Sequence, residues 1–357
     1  MTPLTRLVLP GLALLLAAAC SAPPESEAPA ATTAAALQPI TINYPTRSGA
    51  SWPMYLAKNG GYYEKHGLDV DLQFGVHPAG VAMLTSGQAV MVNHSLEQGM
   101  VASTRDASFV LMGSSSNKGL FALMGQPGLT GPTELQGKRI AVGQIGDAPY
   151  NYTVALLGTF GLGNRDVTWI PVGTDVAGRA SALQTGRADA TLLTAPNFFR
   201  LEEAGFRNLA NLADSDVFAA TTYMFSRQAV TDHPQLPEQI VKAHAEAIKR
   251  FYDDKAFAVE TYIAYDRQAQ ADVERIYDLY ANGGIFERVP YVLAGAVQAI
   301  IRQQVDERLA KDLAAFDFGR VIDNSVVDRL VMDGFFRELF GDGINAEADR
   351  KATLAYR

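Results

Sequence analysis

The chain has 357 residues, enough for two domains with separate hydrophobic cores. Its composition, 48% hydrophobic and 19% charged, is that of an ordinary globular protein rather than a disordered or fibrous one. A net charge of -8 without a basic stripe excludes a nucleic-acid-binding role and leaves the class of small ligand open.

Arg6 precedes an apolar run from Leu7 to Leu16 that is too short to span a bilayer comfortably. Ala17, Ala18 and Ala19 then supply the small residues of a signal-peptide cleavage site. Cys20, the only cysteine of the sequence, follows directly. The arrangement resembles a bacterial lipobox, with Ala17 where Leu is more usual, so that residues 1–20 form a lipoprotein signal peptide and Cys20 is lipidated. An ordinary cleaved signal peptide with an incidental cysteine is the other reading. Two or three acyl chains, at roughly 0.8 kcal/mol per buried CH₂, would hold the protein firmly on a membrane. Residues 21–38, mostly Ala, Pro, Ser, Thr and Glu, cannot bury enough apolar area to fold and read as a flexible tether. The mature protein is therefore expected to be exported, soluble and tied to the periplasmic face of a membrane through its first residue.

The folded part opens on strand, helix, strand. Ile40, Ile42 and Tyr44 share one face of a strand, a polar loop runs from Pro45 to Ser51, and Met54, Leu56, Ala57, Tyr62 and Tyr63 mark a helix interrupted at Gly60-Gly61. Gly67 stops it, and Leu68, Val70 and Leu72 alternate as a second strand. Such a βαβ unit implies a parallel sheet, whose ligands sit at the carboxyl ends of the strands. Here that end is the loop from Thr46 to Trp52. A short helix follows His77-Pro78, then a buried strand from Ala89 to Val92, a helix from Leu96 to Ser103, and a strand from Phe109 to Met112. Three strand ends therefore offer polar residues: Arg47 and Ser48, His94 and Ser95, and Ser114, Ser116 and Asn117.

A second lobe starts near Gly119, again alternating β and α. Its strands are expected over Phe121–Met124, Arg139–Gly143, Val167–Pro171 and Ala188–Leu193, with helices from Asp147 to Phe160 and from Val176 to Gly186. A strand-like run from Ala219 to Phe225 leads back. From Pro237 the chain is mainly helical, over Gln239–Asp253, Ala256–Tyr265, Ala269–Tyr280, Val292–Leu309 and Val326–Phe340, and these helices are expected to cover the first lobe. The lobes are placed at 39–118 plus 222–357 and at 119–221.

The segments YLAKNGGYYEKHGLDVDL, LTSGQA, LQGKRIAVGQIGDAPYNYTVALLGTFGL and SALQTGRADATLLTAP, in this order and spacing, resemble periplasmic solute-binding proteins of ABC importers. The likeness is to their nitrate/sulfonate/taurine and thiamine-precursor branch and covers about Ile40 to Asn211. It implies a type II periplasmic-binding-protein fold: two α/β lobes with mixed sheets, joined by two crossover hinge strands, that close on a small-molecule ligand. It also implies an ABC permease and ATPase as partners, a monomer, and no cofactor or metal. Val90 stands where the family usually has an Asp after SGQA.

The start of the helix after Ile140-Ala141-Val142 bears most directly on the ligand. A helix N-terminus suits anions, and sulfonate-binding relatives place small hydroxyl residues there. This chain has Asp147, itself an anion, with Pro149 in the first turn. A neutral, zwitterionic or cationic ligand becomes more attractive, unless Asp147 only caps the helix and points away. Arg47 pulls the other way, as a clamp for carboxylate or phosphate or else as a solvated loop charge. Trp52 would stack on a planar ligand or pack in the core. Tyr150 and Asn151 begin the same helix as Asp147, and His94, Ser95, Thr174 and Asn197 follow strands. The expected cleft is thus Arg47, Ser48, Trp52, His94, Ser95 and Ser116 from one lobe, with Asp147, Tyr150, Asn151, Thr174 and Asn197 from the other.

An enzyme is not expected. The five histidines show no metal-site spacing, Cys20 is committed to the N-terminus, and no nucleophile elbow or phosphate loop appears. A thiamine-pyrimidine synthase shares the fold but carries a cysteine-rich motif that is absent here. A ligand-binding lobe of a membrane sensor remains the alternative to import.

Overall fold

The computed structural model describes residues 36–357 apart from 174, 175, 216, 218 and 305. The expected signal peptide, Cys20, nearly all of the tether, and Thr174 lie outside the described residues.

The first lobe opens with β1 (Gln38–Tyr44), α1 (Trp52–Asn59), α2 (Tyr62–Lys65), β2 (Leu68–Phe74), α3 (His77–Thr85), β3 (Met91–Ser95), α4 (Leu96–Arg105) and β4 (Phe109–Leu111). The second holds β5 (Phe121–Gly125), β6 (Arg139–Val142), α5 (Ala148–Thr159), β7 (Thr168–Pro171), α6 (Val176–Gln184), β8 (Ala190–Thr194), α7 (Asn197–Glu203) and β9 (Arg207–Asn211). The chain returns on β10 (Thr221–Ser226). Among the described residues nine helices complete the first lobe: α8 (Arg227–Asp232), α9 (Leu236–Asp253), α10 (Lys255–Asp266), α11 (Gln270–Asn282), α12 (Ala294–Gln303), α13 (Glu307–Ala315), α14 (Ser325–Met332), α15 (Phe335–Phe340) and α16 (Ile344–Leu354).

Each lobe is built on a five-stranded mixed sheet, in the orders β2-β1-β3-β10-β4 and β7-β6-β8-β5-β9. β1 is parallel to β2, with Ile40 opposite Val70 and Ile42 opposite Leu72, so the alternating apolar sets stay on one face. The returning β10 is antiparallel to β3 and β4, and β5 is antiparallel to β8 and β9. The sheets are thus mixed because the chain crosses between them twice.

On one face of the first sheet Ile40, Ile42, Met91, Tyr223 and Phe225 pack against α1 and the returning α9 to α11. On the other, Val92, Leu111 and Met224 meet Leu96, Met100 and Val297. In the second lobe Leu123, Ile140 and Leu192 pack on Tyr152, Leu156 and Leu157 of α5. The first core continues into the second lobe through Leu193, Phe198 and Phe199, so apolar packing runs without a break from one lobe to the other. Ion pairs rim this contact: Arg200 meets Asp272 at 2.7 Å, and Arg275 meets Glu203 at 2.8 Å while its guanidinium lies 3.8 Å from the Phe199 ring centroid.

The sequence pattern merges helices that the structure separates. The expected helix over Val326–Phe340 is two, α14 and α15, because Gly334 at φ 79° takes the left-handed conformation that ends the first. Gly61 at φ 69° likewise separates α2 from α1. The expected Val292–Leu309 helix breaks where Gln304 turns extended. Apolar periodicity runs through the breaks at Gly334 and Gln304, so it does not reveal them, whereas the one at Gly60-Gly61 is marked by the glycine pair. No helix among the described residues is long and apolar enough to cross a membrane.

Candidate ligand-binding site

In this architecture the N-terminus of α4, at the carboxyl end of β3, meets the N-terminus of α5, which follows the carboxyl end of β6, between the lobes, the place where open α/β sheets hold ligands. Two of the predicted residues, Asn151 and Ser95, lie there. Asn151 of α5 donates from Nδ2 to Glu97 of α4, and also to the Gly146 carbonyl at 3.3 Å. Gln304, from the end of α12, donates to the same Glu97 oxygen at 3.4 Å. Ser95 caps α4, accepting from the Gln98 amide at 3.3 Å, and the Tyr152 hydroxyl reaches its side chain from the other lobe.

Asp147 sits at the head of α5 as its cap. Its Oδ1 accepts from the Tyr150 amide and its Oδ2 from the Gln144 amide, both at 2.8 Å. These are the donors an incoming anion would need, and the chain's own carboxylate takes them. Burial raises the Asp147 pKa, while the two amides and the Arg179 charge act against the rise.

Glu97 is only 3% exposed, and its second carboxyl oxygen has no protein partner. Burial pushes its pKa up to about 8; the hydrogen bonds from Asn151 and Gln304 oppose this and the Asp147 charge adds to it. Asn151, 5% exposed, likewise leaves its Oδ1 unpartnered.

His94 is fully buried, as a strand-end histidine in a site would be, and neither ring nitrogen has a protein partner. Its ring lies 4.4 Å from that of His77, edge to face. Burial holds His77 at about 4 and His94 well below the usual histidine value, the neighbouring His77 adding to the latter. His244 in the first core is held at about 3 by the same cause. A histidine depressed in the folded state is neutral there but takes a proton when unfolded below its ordinary value of about 6.5. These three groups should therefore leave stability intact above pH ~6.5 and erode it as the pH falls toward 4. Melting temperatures at pH 7 and pH 5 check this, and His77→Gln should flatten the slope.

Several predicted residues lie elsewhere. Trp52 is fully buried in the first core: its Nε1 donates to the Ala258 carbonyl at 2.9 Å, and its ring packs on Phe251, Tyr262, Tyr277 and Tyr280. It packs the core and does not stack on a ligand. Ser116 belongs to the hinge, where its Oγ is 3.0 Å from Thr221 Oγ1 and its carbonyl accepts from the Thr221 amide at 2.9 Å. Tyr150 turns into its own lobe, donating to Asn164 at 2.9 Å with its ring 4.7 Å from Trp169. Arg47 is exposed and stacks 4.0 Å above the Phe74 ring centroid. Ser48 is buried in the β1–α1 loop beside Thr46, at 3.2 Å between hydroxyls. Asn197, half-buried, is the first residue of α7.

Sequence reasoning missed Glu97, His77 and Gln304. An acidic residue in the first turn of a helix reads as a partner for the helix dipole, and that hid Glu97. The signal available was its place two residues past a strand end already read as part of the site. A surface groove of about 720 Å³ lies away from the crevice, between the end of α5 and β9. Among the described residues no cluster of three His, Cys, Asp or Glu side chains could hold a metal.

Two α/β lobes, each on a mixed five-stranded sheet and joined by two crossings, define the periplasmic-binding-protein fold. A model of the NMT1/THI5-like family matches residues 49–257, and the chain belongs to that family. It is 25% identical over 243 residues to the 4-amino-5-hydroxymethyl-2-methylpyrimidine phosphate synthase of Schizosaccharomyces pombe, covering 62% of this chain and 68% of that one. Among solved structures, it is similar to the alkanesulfonate-binding protein SsuA from Xanthomonas axonopodis pv. citri bound to MOPS, with TM-score 0.66 and 20% identity over 82% of this chain and all of that one. The putative periplasmic sulfonate-binding SsuA of Methylobacillus flagellatus KT has TM-score 0.66 and 17% identity, over 86% and 96% of the two chains.

Proposed function

We propose that the chain is a lipid-anchored extracytoplasmic solute-binding protein. It captures a small organic molecule between lobes spanning 39–118 plus 222–357 and 119–221, and passes it to an ABC permease and its ATPase. Cys20 is the anchor and residues 21–38 the tether. His94, Ser95, Asp147, Asn151 and Asn197 line the crevice, with Arg47 and Ser48 at its mouth. The family, the two-lobed fold and a crevice with unpartnered polar atoms support capture. The S. pombe relative is an enzyme, but the chain's single cysteine is at position 20.

One observation carries the ligand class: the Tyr150 amide in the first turn of α5 and the Gln144 amide in the loop before it are already bound to Asp147. The ligand is therefore neutral or bears an amine, unlike the sulfonates named for the structural neighbours. Asp147→Ala tests this. Loss of the cap should cost about 1 kcal/mol, and the freed amides should let methanesulfonate or sulfate raise the melting temperature of the variant but not of the wild type. Equal responses to these anions in both proteins would sink the argument. Cys20→Ser should move the protein from the membrane fraction to the soluble one.

A further inference from the structure

We infer that Glu97 of α4, together with Asn151 of α5, receives a positively charged nitrogen of the ligand, an ammonium or amidinium group, between the lobes. The inference rests on the solute-binding reading and deepens it.

Two independent features converge on this spot. First, the ionised Glu97 Oε2 and Asn151 Oδ1 are both acceptors, both buried, and both without a partner among the described residues. Buried polar atoms are nearly always satisfied, so two acceptors left open on facing lobes call for a donor that comes from outside. Second, a cavity of about 10 Å³ lies between them, lined by Glu97, Asn151, Tyr152, Ile300, Gln303 and Gln304. That is the space of one small polar group. A sulfonate or carboxylate would bring more acceptors and a like charge. An ammonium brings three donors and the opposite charge, and an amidinium brings a planar pair.

The charges around the site agree. Among the described residues the charge acting on Glu97 is that of Asp147, also negative, while Arg179 acts on Asp147. From α5 it faces Asn151 and the neutral phenol of Tyr152, and from the end of α12 it faces Gln304. Without a cation, the closed lobes hold Glu97 as the neutral acid. A cationic ligand then takes the place of that proton: the carboxyl O–H bond breaks, the proton leaves to solvent, and an N–H···O⁻ contact replaces it. Binding should therefore tighten about tenfold per pH unit below the Glu97 pKa of about 8 and level off above it.

The test uses three probes with one carbon skeleton, benzylammonium, benzyl alcohol and phenylmethanesulfonate, on wild type and Glu97→Gln, at pH 6.5, 7.5 and 8.5. Thermal shift and calorimetry are the readouts. The expected result is stabilisation by benzylammonium that grows with pH, about one proton released per ligand, and loss of both in Glu97→Gln. A second measurement needs no probe: without ligand, the melting temperature of wild type relative to that of Glu97→Gln should fall from pH 5 to 8, on top of the histidine slope that both proteins share. Equal benzylammonium binding in both proteins, a larger response to the alcohol or sulfonate, no response to any probe, or identical pH profiles would each overturn the inference. A small molecule co-purifying with both wild type and Glu97→Gln would leave solute capture standing while removing the role of Glu97.

Discussion

Trp52→Ala should lower unfolding free energy by about 3–5 kcal/mol, the range for a large aromatic removed from a closed core. The indole is fully buried among four aromatic rings drawn from α9, α10 and α11, with centroids 4.6–6.2 Å away. Its one polar atom donates to Ala258, so truncation also leaves that carbonyl unmet. The urea midpoint should fall without a change in slope. Trp52→Phe keeps much of the volume and should cost less, while leaving ligand capture unchanged. A Trp52→Phe variant that folds as stably as wild type but loses its ligand would return Trp52 to the crevice.

The second large effect is expected at Lys351, deep under the hinge. Its ammonium is bonded to Glu287 and lies 2.6 Å from Glu347 and 3.3 Å from the Val289 carbonyl, with the side chain only 5% exposed. Glu287 in turn accepts from Asn117, in the segment that crosses to the second lobe, at 3.0 Å. Lys351→Met removes the one cation shared by two carboxylates and strands a buried charge, which should cost about 3–5 kcal/mol. Adding Glu287→Gln should recover part of that loss, because the stranded charge goes with it. Urea unfolding of the two single variants and the double variant measures the coupling. A strictly additive result would mean that the pair contributes no net interaction.

The two sites show what a sequence can and cannot reveal. The βαβ grammar of residues 40–72 is local, so alternation and glycine placement are enough to read it, and the parallel part of each sheet follows from repeating it, while the antiparallel β5 and β10 come from the two crossings. The cap at Asp147 is also local, since the carboxylate binds amides three residues away on either side. Trp52 was ambiguous because its partners, Phe251 to Tyr280, lie some two hundred residues further on and meet it only after the chain has returned. Ser116 looked like a strand-end site residue, but the hydroxyl ladder to Thr221 that makes it a hinge element depends on a contact between the two crossings. Glu97 was illegible for a different reason. Its burial arises from α5 and the end of α12 closing over it, and nothing within its own helix distinguishes it from a solvated first-turn acid.

The central claim is capture of a small, non-anionic organic molecule between the lobes. Its most direct test is native mass spectrometry of the form lacking residues 1–20, purified without denaturation, followed by a thermal-shift panel of amines, alkanesulfonates and nitrate. A ligand at 100 times its dissociation constant adds roughly 2.7 kcal/mol of stability, which such a panel resolves. The account predicts a co-purified or amine-bearing ligand that raises the melting temperature, with no response to taurine, alkanesulfonates or nitrate. Strong stabilisation by a sulfonate or by nitrate would contradict it, because Asp147 would then leave the Tyr150 and Gln144 amides open to an anion.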